Sequence, residues 1–220
     1  MDVDGTMYRQ GPVRRAMLWR LLRAHAASPL RGVSTMRMLA AYRRAQEELR
    51  GAQSAMPSMQ VRLACERTGQ NEAAMTSCVQ RWMEEEPLPL LARARYPYLL
   101  EFLAVARARG LRLAVLSDYD PTRKLKALNV SAFFDVVASA ADPEIQAFKP
   151  DPRGLQVVLR KLGVPPQRAI YVGDRVGVDS RAAERASVLC AIIGQSGAPA
   201  GGSFFPASDY MELCAFIARH

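Results

Sequence analysis

The chain contains no run of about 18 or more uncharged apolar residues, so nothing in it reads as a membrane span. The front opens on acidic residues, with no basic segment leading into an apolar one. It does not read as a secretory signal. Cysteine is sparse: Cys65, Cys78, Cys190 and Cys214 stand far apart and form no CxxC. With only His25 and His220 beside them, a zinc site has few ligands to draw on. Four isolated thiols read as small apolar core residues in a reducing compartment, and a cytoplasmic location is the expectation. There is no internal repeat and no low-complexity tract. Nor is there a basic stretch interleaved with aromatics, the pattern of a nucleic-acid surface. The formal net charge of +9 therefore reads as a solvated basic face, with arginines scattered through helical segments such as Arg14 to Arg23 and Arg37 to Arg50. Such a surface attracts anions, phosphoesters among them.

A length of 220 residues allows one α/β core and a modest insertion. The signals fall into a short head, a helical block and an alternating block. Val13, Met17, Leu18, Leu21 and Leu22 share one helical face. Leu39, Tyr42 and Leu49 mark a second helix, and Met59 to Arg67 suggests a third. Met75, Cys78, Val79, Trp82 and Met83 follow the 3.6-residue rule, as core filling. Gly11-Pro12 and then Pro87, Pro89 and Pro97 punctuate the block. It reads as a four-helix cap at 12–96, joined by two connectors to a core at 1–11 and 97–220. From Pro97 helices alternate with short apolar runs, Leu111 to Leu116, Val136 to Ala138, Ala169 to Val172 and Val188 to Ile193. Gly194 to Ala207 reads as a glycine-rich loop, and Asp209 with Glu212 as a capping pair for a last helix. Alternation of this kind predicts an α/β fold: a Rossmann-like parallel sheet with helices on both faces, plus the inserted helical cap. Ligands of such sheets bind at the carboxyl ends of the strands.

Four short segments stand at or just after those ends. In Asp2-Val3-Asp4-Gly5-Thr6 two carboxylates two residues apart point the same way if the chain is extended. One carboxylate can attack phosphorus while the other handles the proton of a leaving alkoxide or an attacking water. Ser117-Asp118 follows the strand Leu111 to Leu116, where a hydroxyl and backbone N–H groups can hold phosphoryl oxygens. Lys149, in Phe148-Lys149-Pro150, can offset the charge of carboxylate and phosphate brought together. Gly173-Asp174 with Asp179 adds further carboxylates, which repel unless a hard cation such as Mg²⁺ joins them. Taken singly, each has an ordinary reading: a solvated loop lysine, a turn-capping serine, aspartates complementing a helix dipole. Their order, each at an expected strand end, is what raises the chemical reading above those.

DVDGT, Leu116-Ser117-Asp118, FKPDP and GDRVGVD resemble motifs one to four of the haloacid-dehalogenase superfamily, and the resemblance covers nearly the whole chain. The helical insertion after the first motif is similar to the C1 cap of the subgroup with phosphoglycolate phosphatase, β-phosphoglucomutase and the 2-haloacid dehalogenases. The resemblance implies Asp2 as a nucleophile that becomes aspartyl phosphate, and Asp4 as general acid and base that also lends its backbone carbonyl to the metal. It implies phosphoryl binding by Thr6, Ser117, Asp118 and Lys149, and a Mg²⁺ site from Asp2, Asp4, Asp174 and Asp179. The dehalogenases lack an acid at the position of Asp4, because a halide leaves without a proton. An Mg²⁺-dependent phosphatase acting on a small anionic phosphorylated metabolite is therefore expected. A phosphomutase and a non-catalytic binding protein on the same scaffold are the alternatives, and an exposed face of the helical block could pair with another copy.

Family members carry an apolar strand ahead of the first aspartate, at the centre of the sheet. Here Met1 alone precedes Asp2. The expectation is a truncated front in which Met1 is an internal strand residue. Two neighbouring strands would then have unpaired backbone groups, and an ammonium would sit beside Asp2.

Overall fold

The computed structural model describes residues 1–50, 56–195 and 204–219. After a tight turn at the front come α1 (Gln10–Ala24), α2 (Pro29–Leu49), α3 (Met59–Thr68), α4 (Glu72–Val79) and α5 (Leu88–Ala94). Then α6 (Leu99–Ala108), β1 (Ala114–Ser117), α7 (Thr122–Ala127), β2 (Val136–Ser139), α8 (Arg153–Leu162) and β3 (Ile170–Gly173) alternate. They continue as α9 (Arg181–Arg185), β4 (Leu189–Ile193), β5 (Phe204–Ala207) and α10 (Tyr210–Arg219).

Among the described residues the named strands pair in parallel, β1 with β2 in one sheet and β3, β4 and β5 in another. The period-2 alternation of strand side chains buries both faces. Val115, Val172 and Ile193 pack with Phe102, Leu103, Tyr210 and Leu213 of α6 and α10 on one side. Leu116, Tyr171, Cys190 and Ile192 pack with Leu155, Val158 and Leu159 of α8 on the other. Gly163 takes φ 62° just past α8, a left-handed closure that suits a residue without Cβ. Asp209 Oδ1 accepts from the Met211 and Glu212 N–H groups while Glu212 reaches back to the Ser208 N–H, the expected capping pair of α10.

The helical block has its own core: Tyr42, Ala45, Ala64, Met75 and Val79 meet between α2, α3 and α4. A wider turn, Gln80–Glu85, continues α4 and seats Trp82 against Leu21 and Cys78. Three expectations are corrected. The α1 face divides: Val13 and Leu21 are buried, whereas Leu18 and Leu22 are about half exposed at 51% and 47%. Pro87 and Pro89 do not end the helices but open α5, because the first turn lacks intrahelical N–H partners and tolerates proline. The glycine-rich stretch ends in a strand, β5, whose Phe204 and Phe205 pair beside Cys190 and Ala191. Residues 196–203 of that stretch lie outside the described residues.

Met1 and Asp2 occupy the gap between the two sheets. The Met1 amine donates to Ala114 O at 2.7 Å, Leu116 N donates to Met1 O at 3.0 Å, and Asp2 N donates to Val172 O at 2.8 Å. Burial pushes the Met1 ammonium down to about 5 from its ordinary 8.0. Beside it, between β1 and β3, lies a cavity of about 290 Å³ lined by Leu113, Leu116, Leu155, Leu159, Ile170 and Val172 among others. The two connectors of the helical block run together, with Arg9 N on Ala94 O at 2.9 Å and Tyr96 N on Met7 O at 3.0 Å.

Candidate active site

Asp2 enters the site because its backbone is tied to β3. Its carboxylate Oδ1 accepts from Lys149 Nζ at 2.8 Å. The same ammonium donates to Asp179 Oδ1 at 2.7 Å and to the Tyr171 hydroxyl at 3.0 Å. Asp2, Lys149 and Asp179 are all buried. Asp2, Asp174 and Asp179 each offer a carboxylate oxygen, and these atoms lie within 4.8 Å of one another. Thr6 Oγ1 spans two of them, donating toward Asp2 at 3.4 Å and Asp174 at 3.5 Å. The Tyr210 hydroxyl donates to Thr6 O at 2.9 Å and so pins the turn that carries Thr6.

Two glycines make this convergence possible. A Cβ on Gly5, which sits at φ 92°, would overlap the Asp174 carboxylate, and a Cβ on Gly173 would overlap that of Asp179. The electrostatics follow from crowding. With all four groups ionised, three carboxylates and one lysine leave two negative charges uncompensated in a largely buried group. Burial, reinforced by Asp179 and only partly relieved by Lys149, raises Asp2 to about 7. Burial and then Asp179 raise Asp174 to about 6. Burial alone would raise Asp179 too, but Lys149 and the N–H groups of Asp174 and Arg175 outweigh it and hold Asp179 below the usual carboxylate range. Asp179 Oδ2 accepts from those two N–H groups at 3.2 and 3.0 Å, so this residue also shapes the loop bearing Asp174.

The Asp4 side chain is not with the other three carboxylates. The chain turns after Val3, since Thr6 N and Met7 N both donate to Val3 O. The expected convergence of both carboxylates on one point is corrected here, because Asp4 is drawn to partners of its own. Asp4 instead takes Lys124 Nζ on both oxygens, at 2.7 and 2.6 Å, and the Tyr8 hydroxyl on Oδ1. Burial would raise its pKa, but Lys124 and Tyr8 outweigh that and lower it.

Ser117 ends β1, is buried, and accepts from Tyr119 N at 3.4 Å. The Asp118 carboxylate is engaged elsewhere: Arg50 Nη2 donates to it at 2.5 Å and Lys149 N at 3.3 Å. Arg50, at the end of α2, also donates to Lys149 O at 2.5 Å and lies over the Phe148 ring. Beside it Glu47 pairs with Arg175 at 3.0 Å. The helical block is thus tied to the loops after β1, β2 and β3 near the carboxylates. Truncation by Arg50→Ala strands the half-buried Asp118 and the Lys149 carbonyl, and is expected to lower stability by about 2 kcal/mol. Urea unfolding checks it, and Asp118→Ala made on top of Arg50→Ala is expected to add little further loss.

Lys124, Tyr8, Tyr171 and Arg50 are the site residues that sequence reasoning missed. Lys124 and Arg50 sit among many basic helical positions, and nothing in spacing separates them from solvated ones. Tyr171 could have been found: it alternates with Val172 on a strand leading into Gly173-Asp174.

A family model described as haloacid dehalogenase-like hydrolase matches residues 1–187. Phosphoserine phosphatase from Thermus thermophilus is 39% identical over 102 residues, 44% of this chain and 40% of that protein. Phosphoglycolate phosphatase from Escherichia coli is 32% identical over 83 residues, 36% of this chain and 32% of that protein. The matched stretches thus span less than half of each relative's length. Among solved structures, L-2-haloacid dehalogenase from Xanthobacter autotrophicus superposes with a TM-score of 0.67 at 19% identity, covering 99% of this chain and 96% of that one. At that identity the likeness is one of fold. No helix among the described residues is long and apolar enough to cross a membrane.

Proposed function

The chain belongs to the haloacid dehalogenase-like hydrolase family, and from that premise we propose that it is a Mg²⁺-dependent phosphatase hydrolysing a small phosphorylated metabolite through an aspartyl phosphate on Asp2. The observation that carries this reading is the buried group of Asp2, Asp174 and Asp179 around the single ammonium of Lys149. Its residual negative charge, its oxygen-only donors and the glycine cradle at Gly5 and Gly173 fit a hard divalent cation. Asp2 and Asp174, with Asp179 as a third donor and the backbone carbonyl of Asp4, would hold Mg²⁺. When bound it would supply charge neutralisation at the phosphoryl oxygens.

The protein's own groups divide the rest. An Asp2 carboxylate oxygen attacks phosphorus as the bond to the leaving oxygen breaks. Lys149 balances the charge that gathers there, and Thr6 and Ser117 supply hydroxyls for the phosphoryl oxygens. Asp4 would act as acid toward the leaving oxygen and then as base toward the water that hydrolyses the aspartyl phosphate; because Lys124 and Tyr8 hold it ionised, it must leave them and take up a proton before the first step. The helical block at 12–96 acts as the cap that closes over the substrate. A carboxylate-bearing or otherwise anionic metabolite suits the net charge of +9 and the names of the matched phosphatases.

The test is release of p-nitrophenolate and inorganic phosphate from p-nitrophenyl phosphate. EDTA is expected to remove at least about 99% of the turnover and added Mg²⁺ to restore it, as expected where a metal carries the charge stabilisation. Turnover untouched by EDTA would sink the proposal. The pH dependence has a defined sign. Asp2 and Asp174, raised to about 7 and about 6, must be ionised to attack and to bind the cation, so activity rises as pH rises through that window. Cation and protons compete for the same oxygens, so raising the Mg²⁺ concentration is expected to move the acidic limb to lower pH. A limb that stays put across a hundredfold range of Mg²⁺ would contradict the assignment.

A further inference from the structure

The net charge of +9 is not spread evenly along the chain. Residues 5–46 hold nine of its 30 basic side chains, all arginines, and no acidic one; elsewhere 21 basic side chains meet 21 acidic ones. Most of that stretch is α1 and α2. Among the described residues Arg20 is the only arginine of these two helices with a carboxylate partner, Glu86 at 3.1 Å. Arg15, Arg23, Arg31 and Arg37 are exposed. The same helices also leave large apolar side chains in water. Their inner sides are satisfied, with Leu21 against Cys78 and Trp82 and with Met17, Met38 and Leu39 packed around them. Leu18, Trp19 and Leu22 on the closing turns of α1, and Leu30, Val33 and Met36 on the opening turns of α2, are exposed, Trp19 to 73% and Leu30 to 86%. The corner that carries them is well tied. Ser28 N donates to His25 O at 2.9 Å, His25 Nε2 lies 3.3 Å from Thr35 Oγ1, and a Cβ on Gly32 would come to 3.0 Å from His25 Cβ. Single exposed apolar residues are ordinary, but six on the turns that flank one corner, among unpaired arginines, mark an interaction surface.

We propose that this corner docks on an anionic lipid bilayer. Trp19 and its aliphatic neighbours enter the boundary between headgroups and acyl chains, and the arginines take lipid phosphates. An apolar face bordered by basic side chains is what holds amphipathic helices at a membrane surface. Charge decides among the occupants. A second copy of the chain would set nine arginines against nine with no acid between them, and like charges across an interface cost affinity. A nucleic acid would meet the arginines, but proteins that bind it stack bases on aromatic rings, and here leucine, valine and methionine fill the surface around Trp19. The inference does not depend on the phosphatase reading. Leu30 lies 20 residues along α2 from Arg50, or roughly 30 Å at the rise of a helix. Docking at the corner therefore leaves free the end where Arg50 meets Asp118 and Lys149.

The experiment is sedimentation of the full chain with vesicles of phosphatidylcholine and phosphatidylglycerol, two to one, beside vesicles of phosphatidylcholine alone. Binding to the anionic vesicles is expected to be at least about tenfold tighter than to the neutral ones, and to weaken as salt is added. The chain has two tryptophans, and Trp82 is already buried, so a blue shift of emission on binding reports Trp19. Trp19→Phe is expected to bind without that shift. Trp19→Ala with Leu30→Ala is expected to weaken binding by about 100-fold, about tenfold for each side chain withdrawn from the boundary. Arg23→Gln with Arg31→Gln is expected to weaken it by about 30-fold, about fivefold for each charge. All four side chains are exposed, so the melting temperature of each variant is expected to stay within about 3 °C of wild type. No binding, equal binding to neutral vesicles, or binding with no shift in Trp19 emission would each overturn the proposal. So would weakening by the arginine changes alone, the result for any polyanion, nucleic acid included. A dimer in vesicle-free solution that Trp19→Ala with Leu30→Ala takes apart would give the face to a second copy, and would overturn it too.

Discussion

Asp2→Asn is expected to abolish phosphatase turnover, by more than about 10⁴-fold in kcat, while leaving the protein folded. Asparagine matches aspartate in shape and keeps an oxygen for Lys149 and Thr6, but an amide cannot form the acyl phosphate. The neighbourhood tolerates the change because Lys149 retains Asp179 at 2.7 Å and the Tyr171 hydroxyl at 3.0 Å. The substitution also removes a carboxyl that burial pushes up to about 7, a charge this buried group does not hold easily. Melting temperature is expected to move by less than about 5 °C, equivalent to at most ~2 kcal/mol in a domain of this size. Steady-state assays on p-nitrophenyl phosphate with Mg²⁺, set beside thermal unfolding of both proteins, read the two effects separately. Equal turnover by mutant and wild type would mean that Asp2 is not the nucleophile.

A comparably large effect on stability is expected from lengthening the chain at its amino end. Four residues of alternating valine and alanine placed before Met1 would convert the buried amine at Ala114 O into an amide. They would run back between β1 and β3, over the cavity of about 290 Å³. Two apolar side chains moved from water into that space are worth about 2 kcal/mol each, or ~4 kcal/mol together. That corresponds to a rise of roughly 10 °C in melting temperature. The amine adds a pH signature. Its pKa is 8.0 when hydrated and about 5 when buried, so the unfolded chain binds more protons between those values. Its contribution to stability is complete above pH 8 and is lost as pH falls toward 5. Asp2 and Asp174, whose folded values are raised, tilt stability the opposite way at acid pH, but they are present in both proteins. The gain on extension is therefore expected to be larger at pH 6 than at pH 8.5. A Lys-Asp tetrapeptide in the same place, unable to enter an apolar space, is the control. A gain equal to that from the control, or one that is flat with pH, would contradict this account of the cavity.

The backbone of the fold was legible wherever one signal repeats. Leu155, Val158, Leu159 and Leu162 recur at helical spacing and end in Gly163, and α8 follows from that pattern alone. Val115 facing one layer while Ala114 and Leu116 face the other is the two-sided burial that an all-apolar run implies. β5 was not legible, because a short strand takes its identity from the edge it pairs with, and the glycines before Phe204 spoke only of turns. The exposure of Leu18 and Leu22 was not legible either. A helical face says which side chains are alike, not which neighbour arrives to cover them.

For the site, the sequence by itself determined the order of chemistry-bearing segments and their placement at strand ends. Asp2, Lys149, Asp174 and Asp179 could be named without coordinates, and they lie together. Only the tertiary structure decided how those groups are shared. It assigned one ammonium to two carboxylates, turned Asp4 away to Lys124 and Tyr8, and gave Asp118 to Arg50 from the helical block. The reason is physical. Local spacing controls which face a side chain takes within its own element. Which buried charge neutralises which is settled by contacts between segments 30 to 147 residues apart, where the loss of hydration leaves a group no alternative but the partner that packing brings to it.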